Sequence, residues 1–147
     1  MKKSLKNPLD KITSYWENTE TGATQKTILK SQRLILPIKK GWFDLIKSGE
    51  KDQEYREIKS FYIKKFIKCS INLGIYDMSK MENIEKVKLD LRYNPINYDF
   101  IEFRNGYGKN VPSIMVECEN IEIGIGLYVL GAPNYPVFII KLGRVLN

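Results

Sequence analysis

Leu5, Leu9, Ile12 and Trp16 recur at spacings of four, three and four, which makes one face of a helix apolar. Asn7-Pro8 suits its start: an asparagine side chain caps the first free amides, and proline fits the first turn. A polar stretch containing Gly22 follows over residues 18–25, so residues 1–33 are predicted to form an N-terminal amphipathic helix and linker. This arm either packs on the domain or docks a partner. Packing in cis is favoured because Trp16 is costly to leave in water. Leu34-Ile35-Leu36-Pro37-Ile38 is an apolar run of strand type. Trp42, Phe43, Leu45 and Ile46 then share one side of a helix over residues 39–48, and Gly49 suits a left-handed cap. The charged alternation of residues 50–57 predicts a strand, and Ser60 is predicted to cap a basic helix over residues 61–69. Further strands are predicted over residues 71–76, 87–93, 98–104, 113–123 and 137–145. The segment 87–93 alternates cleanly, and Asn105-Gly106 marks a tight turn. Together these elements predict an α+β domain over residues 34–147, with a mostly antiparallel, barrel-like sheet and two or three flanking helices.

The chain has 147 residues, 43% hydrophobic and 28% charged, enough for one domain with a real core. No apolar run approaches the roughly 20 residues of a membrane span, so no membrane partner is predicted. No apolar stretch follows Met1-Lys2-Lys3-Ser4, which argues against a secretory signal and for a cytoplasmic protein. There is no histidine, which excludes Ser-His-Asp, Cys-His and histidine-zinc chemistry. Cys69 and Cys118 cannot complete a four-ligand zinc site by themselves and are predicted to sit in or near the core. No metal or cofactor is predicted.

The net charge is +7, and the whole excess lies in the first 70 residues. A one-sided basic field suits a polyanion such as nucleic acid; a lysine-rich solubilising surface is the other reading. Within this region stands Gly49-x-Lys51-x-x-Glu54-x-Arg56, directly after the aromatic helix. On a strand starting at Lys51, alternation puts Lys51, Gln53 and Tyr55 on one face and Asp52, Glu54 and Arg56 on the other. A turn near Lys51 would change that phase, and a Glu54–Arg56 ion pair would be a structural feature. Arg104-Asn-Gly-Tyr-Gly-Lys109 is the second feature. Its glycines would let a backbone approach a ligand while Arg104, Tyr107 and Lys109 grip phosphate and stack a base. A plain hairpin turn is the alternative. Ile123-Gly-Ile-Gly126 reads as a strand bulge or barrel corner, and Glu117, Glu119 and Glu122 as solvated surface.

The stretch from Leu36 to Glu57 resembles the ASCH domain, a branch of the PUA-like β-barrel superfamily, whose four motif positions are filled here by Gly49, Lys51, Glu54 and Arg56. Phe103–Gly108, Gly131-Ala132 and the closing Ile140–Leu146 resemble a bacteriophage-associated subgroup. The resemblance implies a small PUA-like β-barrel with a cleft beside the motif helix that binds RNA or modified nucleotides, which some members hydrolyse. In the family's amidohydrolases acting on N4-acetylcytidine, the motif lysine is catalytic with a threonine three residues on; Lys51 matches the lysine, but Glu54 stands in the threonine's place. Other members resemble ribonucleases.

The candidate catalytic residues are therefore Lys51, Glu54 and Arg56. The nucleic-acid-binding candidates are Lys39, Lys40, Lys51, Tyr55, Arg56, Lys64, Lys65, Arg104, Tyr107 and Lys109. A lysine acts as a general base only if its pKa falls by about three units. With Glu50 and Glu54 so near, a charged Lys51 that binds phosphate or a base edge is the simpler reading. Lys51 or Glu54 would otherwise activate an RNA 2′-OH, with Arg56 stabilising the developing charge. A third reading is a phage protein-interaction module that grips a host protein through the stripe of Leu5, Leu9, Ile12 and Trp16.

Overall fold

Alternation carries the first strand: β1 (Arg33–Pro37) buries Leu34 and Leu36 and leaves Ile35 in water. A computed structural model of the protein describes residues 32–68 and 81–146. The predicted N-terminal helix and the predicted strand over residues 71–76 lie outside the described residues, as does Cys69.

After β1, α1 (Lys40–Ser48) buries Phe43 and Ile46, and Gly49 closes it in the left-handed conformation at φ 89°. The Gly49 amide donates to the Ile46 carbonyl, as a helix cap requires. β2 (Gln53–Arg56) is shorter than predicted at its start, because the Lys51 amide still donates back to the Leu45 carbonyl of α1. α2 (Ser60–Phe66) begins at Ser60, so Lys59 and not Ser60 holds the N-cap position, without a side-chain cap bond. It also ends early: Ile67 turns extended and bridges Pro95.

One element differs in kind. Where alternation over residues 87–93 predicts a strand, the chain forms α3 (Met81–Tyr93). Val87 and Leu91, four apart, are buried, whereas Leu89 between them is 52% exposed. The segment Val87-Lys-Leu-Asp-Leu91 fits periods of two and of 3.6 equally well, and the longer reach back to Met81 decides for the helix.

β3 (Phe100–Arg104), β4 (Ser113–Gly124) and β5 (Val137–Val145) complete a five-stranded sheet in the order β1-β3-β4-β5-β2. β3 pairs antiparallel with β4, and β2 antiparallel with β5, but β1 runs parallel to β3. The α+β class with a mainly antiparallel sheet thus holds, with one parallel pair. Two compact units divide the described residues. The first comprises residues 32–52, 98–119 and 142–146, with Leu36, Ile46, Ile101, Phe103 and Val116 in its core. The second comprises 53–68, 81–97 and 120–141, centred on Ile63, Phe66, Val87 and Phe138; the Phe66 and Phe138 rings meet edge-on at 4.8 Å. Among the described residues no helix is long and apolar enough to cross a membrane.

Candidate functional site

The motif crosses the boundary between the two units: Gly49 and Lys51 belong to the first, Glu54 and Arg56 to the second. In the first unit the Gly49 cap and the Lys51-to-Leu45 bond fold the chain back onto α1. Lys51 is thereby only 2% exposed, with its Nζ 4.7 Å from the centre of the Trp42 ring. A buried ammonium is unfavourable unless something replaces its water, and an indole face is the best aromatic partner for it. Lys39 and Lys40 are exposed at the start of α1, where Lys40 pairs with Asp44 at 2.8 Å. A surface pair of this kind is worth at most about 1 kcal/mol.

In the second unit β2 alternates as predicted. Glu54 and Arg56 share a face, and the Arg56 Nη2 donates to Glu54 Oε2 at 2.7 Å. Both side chains are nearly buried, at 12% and 10% exposure for arginine and glutamate. The Arg56 Nη1 donates to the Tyr62 hydroxyl at 3.2 Å. A guanidinium is a rigid planar fork, so these two anchors fix its orientation as well as its position.

Tyr55 takes the opposite face. Its hydroxyl donates to Gln53 Oε1 at 2.8 Å and accepts the Leu127 amide at 3.1 Å. The ring lies so close to Gly126 that a Cβ there would run into it, and would also sit 2.7 Å from the Ala132 Cβ. Gly126 lies beyond the end of β4, so this close approach, and not a bulge in the strand, explains the glycine.

Tyr55, Arg56 and Glu57 form one wall of a cleft of about 320 Å³. Gly131, Ala132, Pro133, Tyr135 and Val137 form the rest. The volume falls at the small end of ligand sites. The lining residues include one arginine, one glutamate and two tyrosines, and are otherwise apolar or glycine. Its residues 131–133 leave a single 3₁₀ turn (Tyr128–Leu130), which Gly131 ends in the left-handed conformation at φ 100°.

The predicted site residues therefore separate. Tyr55 and Arg56 both line the cleft, and Glu54 accepts a hydrogen bond from Arg56. Lys51 is not in the cleft lining and faces Trp42 instead. On α2, Lys64 is exposed and Lys65 lies with its Nζ 5.3 Å from the Phe61 ring centre. The Arg104 Nη2 donates to the carbonyls of Gly108 and Lys109 at 2.9 and 3.2 Å, and its Nη1 lies 3.6 Å from Glu102. Arg104 thus closes its own loop, and gripping phosphate would mean giving up those bonds. Tyr107 and Lys109 stand exposed on that loop.

Glu117 is a correction to the reading of a solvated acidic face. It is 7% exposed, and its Oε1 accepts the Arg144 amide at 2.8 Å. Gly143 makes room for it, since a Cβ there would lie 2.8 Å from that oxygen. Cys118 is buried, as expected. Tyr98 in the same unit has its pKa pushed up by burial and, secondarily, by Cys118. Among the described residues no group of three or more Cys, Asp or Glu could hold a metal ion.

Sequence reasoning missed Tyr62, Tyr135 and Pro133. For Tyr135 and Pro133 a signal was present: no charged residue occurs between Glu122 and Lys141, and that stretch holds Gly131-Ala-Pro-Asn-Tyr-Pro136. An uncharged run broken by glycine and proline marks a shaped, partly apolar loop, not a solvated one. Comparison of the chain with protein-family models, with curated proteins and with solved structures gives no match.

Proposed function

We propose that the protein binds RNA or a modified nucleotide in the Tyr55–Arg56–Tyr135 cleft, as a cytoplasmic, phage-encoded relative of the PUA-like ASCH domains its motif resembles. The observation that carries this reading is Arg56, held by Glu54 and Tyr62, in a cleft whose lining also includes Tyr55 and Tyr135. A nucleobase needs a flat apolar slot with a few fixed polar groups at its edge. Tyr55, Tyr135, Ala132 and Pro133 supply the slot. Arg56 supplies donors and Glu57 an acceptor, the pair that a base edge with both carbonyl and amino groups would use. The net charge of +7 favours a polyanionic ligand at long range.

Binding is favoured over hydrolysis by the engagement of the two candidate catalytic groups. Lys51 faces Trp42, and the Glu54 carboxylate accepts from Arg56. The test is titration of single-stranded RNA and of nucleoside monophosphates into wild type and Tyr135→Ala, at two salt concentrations. Tyr135 is half exposed, so its truncation should leave the fold intact. The expected result is salt-dependent RNA binding that weakens about tenfold in the variant, with RNA length unchanged. Absence of binding to every probe would overturn the reading. RNA shortened by wild type but not by Lys51→Ala would replace it with a nuclease.

A further inference from the structure

The turn that leads into the cleft is unusual for a charged protein. Ile125, Leu127, Tyr128 and Val129 are 66, 50, 86 and 78% exposed, in a stretch without a single charged side chain. Four exposed apolar side chains within five residues are the kind of feature that marks a contact surface. It is also held in place. The Leu127 amide donates to the Tyr55 hydroxyl, the Leu130 and Gly131 amides donate back to Leu127 and Tyr128, and the Ala132 amide donates to Leu127. Gly126 packs against Tyr55 and Ala132 beneath the turn. Tyr55 is thus shared: it lines the cleft while its hydroxyl accepts from the turn. Residues 131–133, which continue directly from the turn, also line the cleft.

We infer that the exposed Tyr128–Val129 turn is a second stacking platform, so that the ligand is a strand of nucleic acid and not a free mononucleotide. The inference rests on the nucleotide-binding reading and extends its site. One nucleotide occupies the cleft beside Arg56, and a neighbouring base lies on Tyr128. Stacking asks for an apolar π-face and no charge, which matches the uncharged turn, and a preorganised platform adds affinity without an ordering cost. The phosphates between the two bases face a protein of net charge +7.

The test compares a pool of single-stranded RNA hexamers with the four nucleoside monophosphates, on wild type, Tyr128→Ala and Tyr128→Phe. Because Tyr128 is 86% exposed, neither variant should disturb folding, which circular dichroism checks. Hexamer affinity should fall about tenfold in Tyr128→Ala and stay near wild type in Tyr128→Phe, with the slope against salt unchanged. Monophosphate affinity should be the same in all three proteins. If monophosphates bind but hexamers bind equally to wild type and Tyr128→Ala, the platform is overturned while the cleft reading stands. If Tyr128→Ala abolishes a sedimentation dimer and leaves hexamer affinity unchanged, the turn is a protein-docking face and the inference falls. If no probe binds wild type, both readings fall.

Discussion

Arg56 is the residue on which the cleft turns, and Glu54 and Tyr62 both hold its guanidinium. Removing one partner of a nearly buried ion pair leaves the other charge without its counterpart, which typically costs 3–5 kcal/mol. Glu54→Gln should therefore destabilise the protein by about 3 kcal/mol or more in urea unfolding, whereas Tyr62→Phe, which removes one hydrogen bond, should cost about 1 kcal/mol. Equal, small effects would mean that the pair is solvated. Gly126→Ala should cost about 1–3 kcal/mol, since the added methyl meets Tyr55 and Ala132 with no flexible end to yield. Tyr98 gives a prediction in pH. Burial, with Cys118 second, raises its pKa, so the unfolded chain loses the phenolic proton first as pH rises. Stability should be unaffected below about pH 10, the ordinary tyrosine value, and fall above it until the folded protein's own higher pKa is passed. Tyr98→Phe should lack this component of alkaline unfolding in melts followed from pH 8 to 11.

The elements divide by how unambiguous their local chemistry is. α1 was legible because aromatic spacing and the Gly49 cap point the same way, and β5 because its apolar run is long. The same holds for the phase of β2, where alternation alone puts Glu54 and Arg56 on one face. α3 was not, since Val87, Leu89 and Leu91 satisfy a strand as well as a helix, and only packing separates Leu89 from the other two. That difference is testable. Leu91→Ala should cost about 2–5 kcal/mol and Leu89→Ala less than about 1 kcal/mol, where a strand would make the two alike. The cleft was half legible for a related reason. Tyr55 and Arg56 carry a motif, but Tyr135 and Pro133 approach them through β5 pairing with β2, a contact of long sequence separation that no local pattern encodes. The role of Arg104 was invisible for the opposite reason: its partners are backbone carbonyls of its own loop, which have no signature in side-chain chemistry.

For the molecule as a whole, charge and site chemistry perform different tasks. On the proposed reading, the basic excess of the first 70 residues would act as a field on a polyanion, and specificity would fall to the uncharged stretch between Glu122 and Lys141 and to Arg56. Raising salt should therefore weaken RNA binding without changing which base is preferred, a separation that competition among homopolymers at two salt concentrations would read. The most direct test of the central claim is amide chemical-shift mapping on the ¹⁵N-labelled protein as nucleoside monophosphates are added. Saturable shifts at Gly131, Ala132 and Tyr135, with Tyr107, Gly108 and Lys109 unmoved, are the predicted result. Shifts confined to the 105–110 loop, or none in the cleft at saturating ligand, would contradict it.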